Sequence, residues 1–164
     1  MLLEDALRAL PILREHEGDV VDVGSGGGSP GIPLALELPE RAFTLVEAER
    51  RKAEFLREHA PANAEVVWGR AEEQPVDRYG VALAKALAQP ATALEWVLPL
   101  VAPGGIAVLW LGPSADLSTV GRIAGQLGGG EPELREGLVV VPKLGATPAG
   151  FPRRVGVAKK RPLA

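Results

Sequence analysis

The sequence predicts an α/β fold in which a parallel sheet carries helices on both faces. Two observations lead to this prediction. Short apolar runs typical of buried strands alternate along the whole chain with amphipathic runs typical of helices. A glycine-rich stretch, "VGSGGGSPG", directly follows the first strand-like run, at the place where sheets of this kind bind ligands.

Strand-like and helix-like runs fill most of the chain. Residues 2–16 place apolar residues at helical spacing, and Pro11 is positioned to break or kink that helix. The strand-like runs are residues 19–23, 42–48, 64–70, 79–86, 106–112 and 137–143. The later helix-like runs are residues 31–39, 49–60, 90–101 and 115–127. We expect a single domain over residues 1–164, with a short N-terminal helix in residues 1–18.

Composition excludes several classes of protein. Apolar residues make up 46% of the 164 residues, which is typical of a globular chain. The absence of cysteine excludes disulfides, thiolate metal sites and cysteine nucleophiles, and His16 and His59 lie far apart, so we expect no metal site. No apolar run approaches the roughly 20 residues of a membrane span, and the N-terminus does not resemble a signal peptide. We expect a cytoplasmic protein that does not act at a membrane.

Charge is distributed unevenly along the chain. Residues 1–142 carry 12 basic and 21 acidic side chains, whereas residues 143–164 carry six basic side chains and no acidic ones. A basic C-terminal segment on an acidic body is typical either of a solvated tail or of a local contact with an anionic partner such as RNA. Trp68, Trp96 and Trp110 lie in apolar runs and are interpreted as core or subunit contacts.

The glycine stretch fits two kinds of cofactor. Gly26, Gly28 and Gly31 match the G-x-G-x-x-G spacing of dinucleotide binders, although a run this rich in glycine matches many spacings. Gly24, Gly26 and Gly28 instead form G-x-G-x-G, with Asp22 at the end of the preceding strand, as in methyltransferases that use S-adenosylmethionine. A carboxylate at Asp22 would repel a pyrophosphate, whereas the ammonium and sulfonium of S-adenosylmethionine are not repelled. The adenosyl cofactor is therefore favoured.

Glu47 ends the second predicted strand, in "TLVEAER". An acid at that place can accept hydrogen bonds from both ribose hydroxyls of a nucleoside cofactor. Both nicotinamide and adenosyl cofactors use such a residue, so Glu47 supports a nucleoside without choosing between them. A nicotinamide-dependent reductase is disfavoured, because Tyr79, the only tyrosine, has no lysine four residues later.

Four segments extend the pattern beyond a general cofactor motif. They read "DVGSGGGSPGIPLAL", "VVWGRAEE", "KALAQPATALEWVLPLVAPGG" and "LVVVPKLGATPAGFPRRVGVAKKRPL". In this order they resemble the bacterial small-subunit ribosomal RNA guanine-N7 methyltransferases, also called glucose-inhibited division protein B. The resemblance covers about residues 15 to 164 and implies a Rossmann-like class I S-adenosylmethionine methyltransferase fold. That fold has a seven-stranded, mostly parallel sheet whose last strand is antiparallel.

The resemblance implies which residues bind S-adenosylmethionine. They are Asp22, Gly24, Ser25, Gly26, Gly28, Ser29, Glu47, Ala71, Glu72 and Lys85. Ala71 and Glu72 would flank the adenine. Ser29 stands where the family usually has a larger apolar residue. Lys85 stands where the family usually has arginine, and it is expected to orient the base or the cofactor without acting as a general base.

The resemblance also implies the substrate, an exposed guanine of small-subunit ribosomal RNA. The residues expected to hold RNA phosphates are Arg153, Arg154, Lys159, Lys160 and Arg161. Relatives generally carry a longer N-terminal helical region, so this chain is interpreted as an N-terminally short relative. The short N-terminal region and the departures from the family at Ser29 and Lys85 leave an alternative open. In that alternative the protein is a catalytically weak or inactive relative that binds the cofactor or RNA. Oligomeric state and the need for a protein partner are left open.

Overall fold

A seven-stranded sheet forms the centre of the protein in a computed structural model that describes residues 2–85, 88–112 and 114–164. Its strands are β1 (Val20–Val23), β2 (Phe43–Glu47), β3 (Ala64–Trp68), β4 (Tyr79–Lys85), β5 (Val101–Trp110), β6 (Glu133–Arg135) and β7 (Leu138–Pro142). They lie in the order β3-β2-β1-β4-β5-β7-β6. Strands β1 to β5 pair in parallel, whereas β7 is antiparallel to both β5 and β6. The predicted mostly parallel sheet with an antiparallel last strand is confirmed.

Helices cover both faces of the sheet, as predicted. They are α1 (Leu2–Leu7), α2 (Leu10–Arg14), α3 (Gly31–Glu37), α4 (Arg50–His59), α5 (Pro90–Val97), α6 (Leu117–Gln126) and α7 (Val157–Lys160). Because side chains alternate along a strand, Val20 joins an apolar cluster with α2 and α3, and Val21 joins a second cluster with α5 and α6. None of the helices in the described part of the chain has the length and apolar character needed to cross a membrane.

The carboxyl ends of the parallel strands meet at one edge of the sheet. Glu47 at the end of β2 lies opposite Trp68 at the end of β3, and Lys85 at the end of β4 lies opposite Trp110 at the end of β5. The glycine stretch leaves β1 at this edge, after Val23. Residues that are far apart in sequence are thereby brought to the place where sheets of this class bind ligands.

Several elements differ from the sequence prediction, among them the short helix α7, which was not predicted. The edge strand β6 was not predicted, because three mostly exposed residues are too short to show alternation. β5 begins at Val101, before the strand-like run predicted at residues 106–112, and its pairing with β4 is irregular there. A Cβ atom at Gly105 would lie 2.4 Å from the carbonyl oxygen of Gly80, so glycine permits this close approach of β4 and β5. The predicted N-terminal helix is divided into α1 and α2, with Pro11 in the first turn of α2.

The three tryptophans have different environments. Trp110 is buried and donates its indole N–H to the carbonyl of Asp5 at 3.1 Å, which anchors α1 to the end of β5. Trp68 is 53% exposed and donates to the carbonyl of Ala48 at 3.0 Å. Trp68 is therefore not a core residue, because it lies on β3 at the edge of the sheet, and the alternative interpretation as a subunit contact stays a prediction.

The C-terminal segment is docked against the body of the protein. Lys143, counted among its basic residues, is fully buried, and its ammonium donates to the carboxylate of Asp77 at 2.9 Å and to the carbonyl of Val101 at 2.7 Å. Further along, Phe151 packs against the apolar cluster under α5, and Thr92 of α5 donates to the carbonyl of Ala158. This packing brings residues 151–161 close to the carboxyl edge of the sheet.

Candidate functional site

The glycine loop is fixed by backbone hydrogen bonds to β2. The N–H groups of Gly24 and Ser25 donate to the carbonyl of Val46 at 2.8 and 3.2 Å, and the N–H of Gly26 donates to the carboxylate of Glu47 at 2.9 Å. Gly24 and Gly26 have φ angles of 71° and 52°, in the left-handed region where glycine is favoured. The glycines therefore let the chain turn sharply beside the end of β2.

Asp22 lies beneath this loop. It is fully buried, and its Oδ2 accepts a hydrogen bond from the N–H of Gly31, the first residue of α3, at 3.0 Å. A Cβ atom at Gly31 would lie 2.6 Å from that Oδ2 and 2.5 Å from Cδ2 of Leu45, so no other residue fits there without rearrangement. Burial raises the pKa of Asp22 to about 7. Asp22 and Gly31 together dock α3 onto the sheet.

Glu47 has a structural role beside its expected ligand role. Its Oε1 accepts the Gly26 N–H, and its Oε2 accepts the N–H of Glu49 at 2.7 Å. The side chain is 7% exposed and lines the cleft above the glycine loop. Each carboxylate oxygen keeps a second lone pair, so the group can still accept hydrogen bonds from ribose hydroxyls.

A cleft of about 340 Å³ lies at the carboxyl ends of β1 to β4. Six of the predicted cofactor residues line it: Gly24, Gly26, Glu47, Ala71, Glu72 and Lys85. The other four predicted residues, Asp22, Ser25, Gly28 and Ser29, are not among its lining residues. Ser25 is buried and donates its hydroxyl to the carbonyl of Asp22 at 3.0 Å, which ties the loop to β1.

Sequence reasoning missed several residues of the cleft. Lys52 in the first turn of α4, Arg70 after β3 and Trp96 on α5 also line it. The indole N–H of Trp96 is buried and has no hydrogen-bond partner among the described residues. A buried donor in the wall of a cleft is suited to a ligand acceptor, because leaving it unpaired is costly. Neither the apolar run around Trp96 nor the charged run around Lys52 gave a signal of this placement.

Lys85 joins the cleft to the N-terminal helix. Its ammonium lies 2.8 Å from the carboxylate of Asp5 on α1, and the side chain is 15% exposed. The hydrogen bond from Lys85 is the main cause that holds the pKa of Asp5 below its usual value, although partial burial opposes it. Asp5 is therefore ionised near neutral pH, and the ion pair connects Lys85 in the wall of the cleft to α1.

The basic residues of the C-terminal segment fall into two groups. Arg153 donates from Nε to the carboxylate of Glu95, which is fully buried on α5, and its guanidinium also donates to the carbonyl of Arg161. These contacts give Arg153 a structural role, and its contact with RNA phosphate stays a prediction. The remaining four side chains are exposed and form what we call the basic tail surface: Arg154, Lys159, Lys160 and Arg161.

The basic tail surface borders the cleft. Arg154, Lys160 and Arg161 line one depression of about 290 Å³, together with Gly156. The N–H of Gly156 donates to Oε2 of Glu72 at 3.0 Å, and Glu72 itself lines the cleft. None of the four basic side chains has an ion-pair partner in the part of the chain that the structure describes.

The sheet order, the glycine loop after β1 and the acid at the end of β2 define the fold of a class I S-adenosylmethionine methyltransferase. The crystal structure of a TehB-like SAM-dependent methyltransferase from Corynebacterium glutamicum has this fold. Its TM-score with the present structure is 0.64, over 84% of this chain and 86% of that chain, at 16% identity. At such identity the similarity shows the fold alone.

Comparison of sequences is more specific. Residues 1–118 match the sequence profile of the family GidB, rRNA small subunit methyltransferase G. A ribosomal RNA small subunit methyltransferase G from Pelotomaculum thermopropionicum is 38% identical over 96% of this chain and 74% of its own length. One from Roseiflexus castenholzii is 38% identical over 97% of this chain and 76% of its own length. The chain belongs to the rRNA small subunit methyltransferase G family, and the predicted resemblance is confirmed.

Proposed function

We propose that this protein transfers a methyl group from S-adenosylmethionine to N7 of a guanine in small-subunit ribosomal RNA. The single observation that carries the proposal is the cleft at the carboxyl edge of the sheet, where Gly24, Gly26 and Glu47 meet Glu72 and Lys85. Family membership supports the class of reaction and of substrate.

The residues of the cleft fit the cofactor. Gly24 and Gly26 expose backbone without side chains, and Glu47 offers carboxylate oxygens to ribose. The indole N–H of Trp96, which has no partner among the residues that the structure describes, offers a donor. Ala71 and Glu72, in the 3₁₀ turn after β3, would lie along the adenine. When bound, S-adenosylmethionine supplies an electrophilic methyl group on its sulfonium.

The chemistry at guanine N7 requires no general base. N7 carries an in-plane lone pair and can attack a methyl group without first losing a proton. Catalysis can therefore rest on alignment of the two reactants. Lys85 lines the cleft and pairs with Asp5 of α1, and in this proposal it orients the base or the cofactor carboxylate. The carboxylates of Glu47 and Glu72 already accept backbone hydrogen bonds, which suits holding roles better than proton transfer.

RNA would approach from the side of the C-terminal segment. The basic tail surface presents four exposed cations around Gly156. The backbone N–H of Gly156 donates to the carboxylate of Glu72, which lines the cleft, so these cations lie near the cofactor site. Contacts of this kind hold phosphates without reading the base sequence. The Arg153–Glu95 ion pair also anchors the C-terminal segment and holds these cations against α5.

Two measurements test the proposal. The first is calorimetric titration with S-adenosylmethionine, S-adenosylhomocysteine and, as a control, NADH; binding of the adenosyl ligands alone is expected. The second is transfer of radiolabelled methyl to small-subunit RNA, followed by borohydride and aniline cleavage, which breaks RNA at 7-methylguanine. Cleavage at one guanine is the expected result, and methylation at another atom would overturn the assignment to N7.

The same assays separate an enzyme from a binding module. If Lys85 weakens a working enzyme, Lys85→Arg restores a planar bidentate donor and raises the methylation rate. Cofactor binding without methylation of any RNA, by either the natural protein or Lys85→Arg, would instead establish a binding role.

A further inference from the structure

A second cavity lies next to the cleft and shares Lys85 with it. Its volume is about 800 Å³, and it is bounded by the end of β5, the start of α6 and the turn between β6 and β7. Apolar side chains form much of the described wall: Trp110, Leu111, Leu117, Leu134, Leu138 and Val139. Its polar side chains are Lys85, Asp5 of α1 and Arg8, which directly follows α1. An apolar cavity with a few convergent polar groups is typical of a site for a planar organic ligand.

The polar groups are held in place from several sides. Trp110 donates its indole N–H to the backbone carbonyl of Asp5, and Arg8 donates from Nε to the carbonyl of Glu136 at 3.0 Å. These two bonds attach α1 to β5 and to the β6–β7 turn. The carboxylate of Asp5 is thereby placed beside the ammonium of Lys85, at 2.8 Å.

This pair presents hydrogen-bonding groups in a defined order. The Lys85 ammonium has three donors and uses one on Oδ2 of Asp5, whose Oδ1 accepts a hydrogen bond from the Arg8 guanidinium. A carboxylate has about four acceptor sites, so each Asp5 oxygen keeps one further site for a ligand. The cavity therefore offers one donor next to two acceptor oxygens. The Watson–Crick edge of guanine has the complementary order, with the O6 acceptor beside the N1–H and N2–H donors. Adenine has a donor amino group where guanine has O6, which opposes the Lys85 ammonium.

We propose that this cavity binds the target guanine, with Asp5 accepting from N1–H and N2–H while Lys85 donates to O6. The proposal rests on the proposed function, and it adds a specificity-determining residue on α1. N7 lies on the opposite side of O6 from N1, so this mode of binding leaves N7 free for the methyl group. Lys85 lines both cavities, and it places the O6 side of the base next to the cofactor cleft.

The test compares two RNA substrates that differ in one group. Inosine keeps O6, N1–H and N7 but lacks the N2 amino group, so it removes one of the two donors facing Asp5. We expect the natural protein to methylate guanosine at least about tenfold faster than inosine at the same position. In Asp5→Asn and Asp5→Ala this preference is expected to fall below about threefold. Glu4→Gln, the matched control at an exposed carboxylate of α1, is expected to retain it.

The outcomes are distinguishable. If both Asp5 variants remain folded and keep the guanosine preference, or lose both activities in equal proportion, the inference is overturned. If the natural protein methylates no RNA, the proposed function fails, and the inference is then decided by binding alone. In that case guanosine and inosine are titrated into the natural protein and Asp5→Asn. A guanosine preference lost in the variant supports the site, and an absence of guanosine binding or an unchanged ratio rejects it.

Discussion

The carboxylate of Glu47 holds the N–H of Gly26 at 2.9 Å and so joins the end of β2 to the glycine loop. Its other oxygen accepts the N–H of Glu49, at the start of α4. The residue expected to hold the ribose therefore also shapes the loop beneath it. Loss of this carboxylate affects cofactor binding in two ways, through the missing acceptor and through the loop.

Glu47→Gln is expected to weaken S-adenosylhomocysteine binding at least about tenfold. The amide has only one oxygen, so one of the two backbone N–H groups loses its acceptor and faces a donor instead. Calorimetric titration measures the dissociation constant. Glu58→Gln is the control, since it changes an exposed carboxylate of α4 that does not line the cleft. An unchanged affinity in Glu47→Gln would remove Glu47 from the binding site.

Trp96→Phe is expected to lower cofactor affinity about fivefold or more, while stability without ligand falls by no more than about 1 kcal/mol because the smaller ring packs less well against the apolar cluster. The substitution keeps an aromatic ring in the wall of the cleft and removes the indole N–H, which has no partner among the described residues. Removing an unpaired buried donor does not cost stability, whereas removing a ligand contact costs affinity. Thermal unfolding with and without S-adenosylhomocysteine measures both quantities. A drop in stability without ligand well above that packing loss would show that the N–H has a structural partner.

Asp22 makes the stability of the protein depend on pH. Its pKa is about 7 in the folded protein and 3.8 when unperturbed. At pH values between these two pKa values, Asp22 is therefore protonated in the folded protein and ionised in the unfolded chain. The free energy of unfolding attributable to Asp22 therefore falls as pH rises from about 4 to about 7 and is constant above.

Asp22→Asn does not titrate, and it keeps an oxygen for the Gly31 N–H. Relative to the natural protein, its free energy of unfolding is expected to rise by about 2 to 4 kcal/mol between pH 4 and pH 7. Urea unfolding at a series of pH values measures this difference. Glu40→Gln, at an exposed carboxylate, should show no such trend. A difference that is flat with pH would mean that Asp22 is ionised in the folded protein.

Much of the fold could be predicted because its signals are local. The alternation of short apolar runs with helical runs indicates a parallel sheet, and a glycine stretch after the first strand locates the ligand edge. β6 has too few residues to show a pattern, and the start of β5 depends on the contact between Gly105 and Gly80. Such a contact is a property of two segments, so neither segment reveals it alone.

The site was predictable for residues that follow a strand within the motif, such as Gly24 and Glu47. Lys52 and Trp96 reach the cleft only because α4 and α5 pack beside it. The pairing of Asp5 with Lys85 joins residues 80 positions apart, and the burial of Arg153 against Glu95 joins residues 58 positions apart. Charge alone placed Arg153 with the RNA-binding residues, because a sequence does not show which cations have an acidic partner.

Arg153→Ala is expected to destabilise the protein by about 2 to 4 kcal/mol, because it leaves the buried carboxylate of Glu95 without its cation. Arg154→Ala changes the neighbouring exposed side chain and is expected to alter stability by less than about 0.5 kcal/mol. Urea unfolding compares the two variants. Equal and small effects would mean that Arg153 is available to RNA, as the sequence suggested.

Binding of RNA is expected to depend steeply on salt through the basic tail surface. Each contact between the protein and one phosphate of single-stranded RNA adds about 0.7 to the magnitude of the slope of log affinity against log salt concentration. Replacing Arg154, Lys160 and Arg161 together by glutamine should make that slope shallower by about 2. The control replaces Arg14, Arg57 and Arg122, three exposed cations on α2, α4 and α6, and gives the same change in net charge. Fluorescence anisotropy of a labelled small-subunit RNA fragment between 50 and 300 mM salt measures both slopes. If the slope becomes shallower by the same amount in both triple variants, RNA affinity depends on net charge alone, and the C-terminal segment has no specific part in holding RNA.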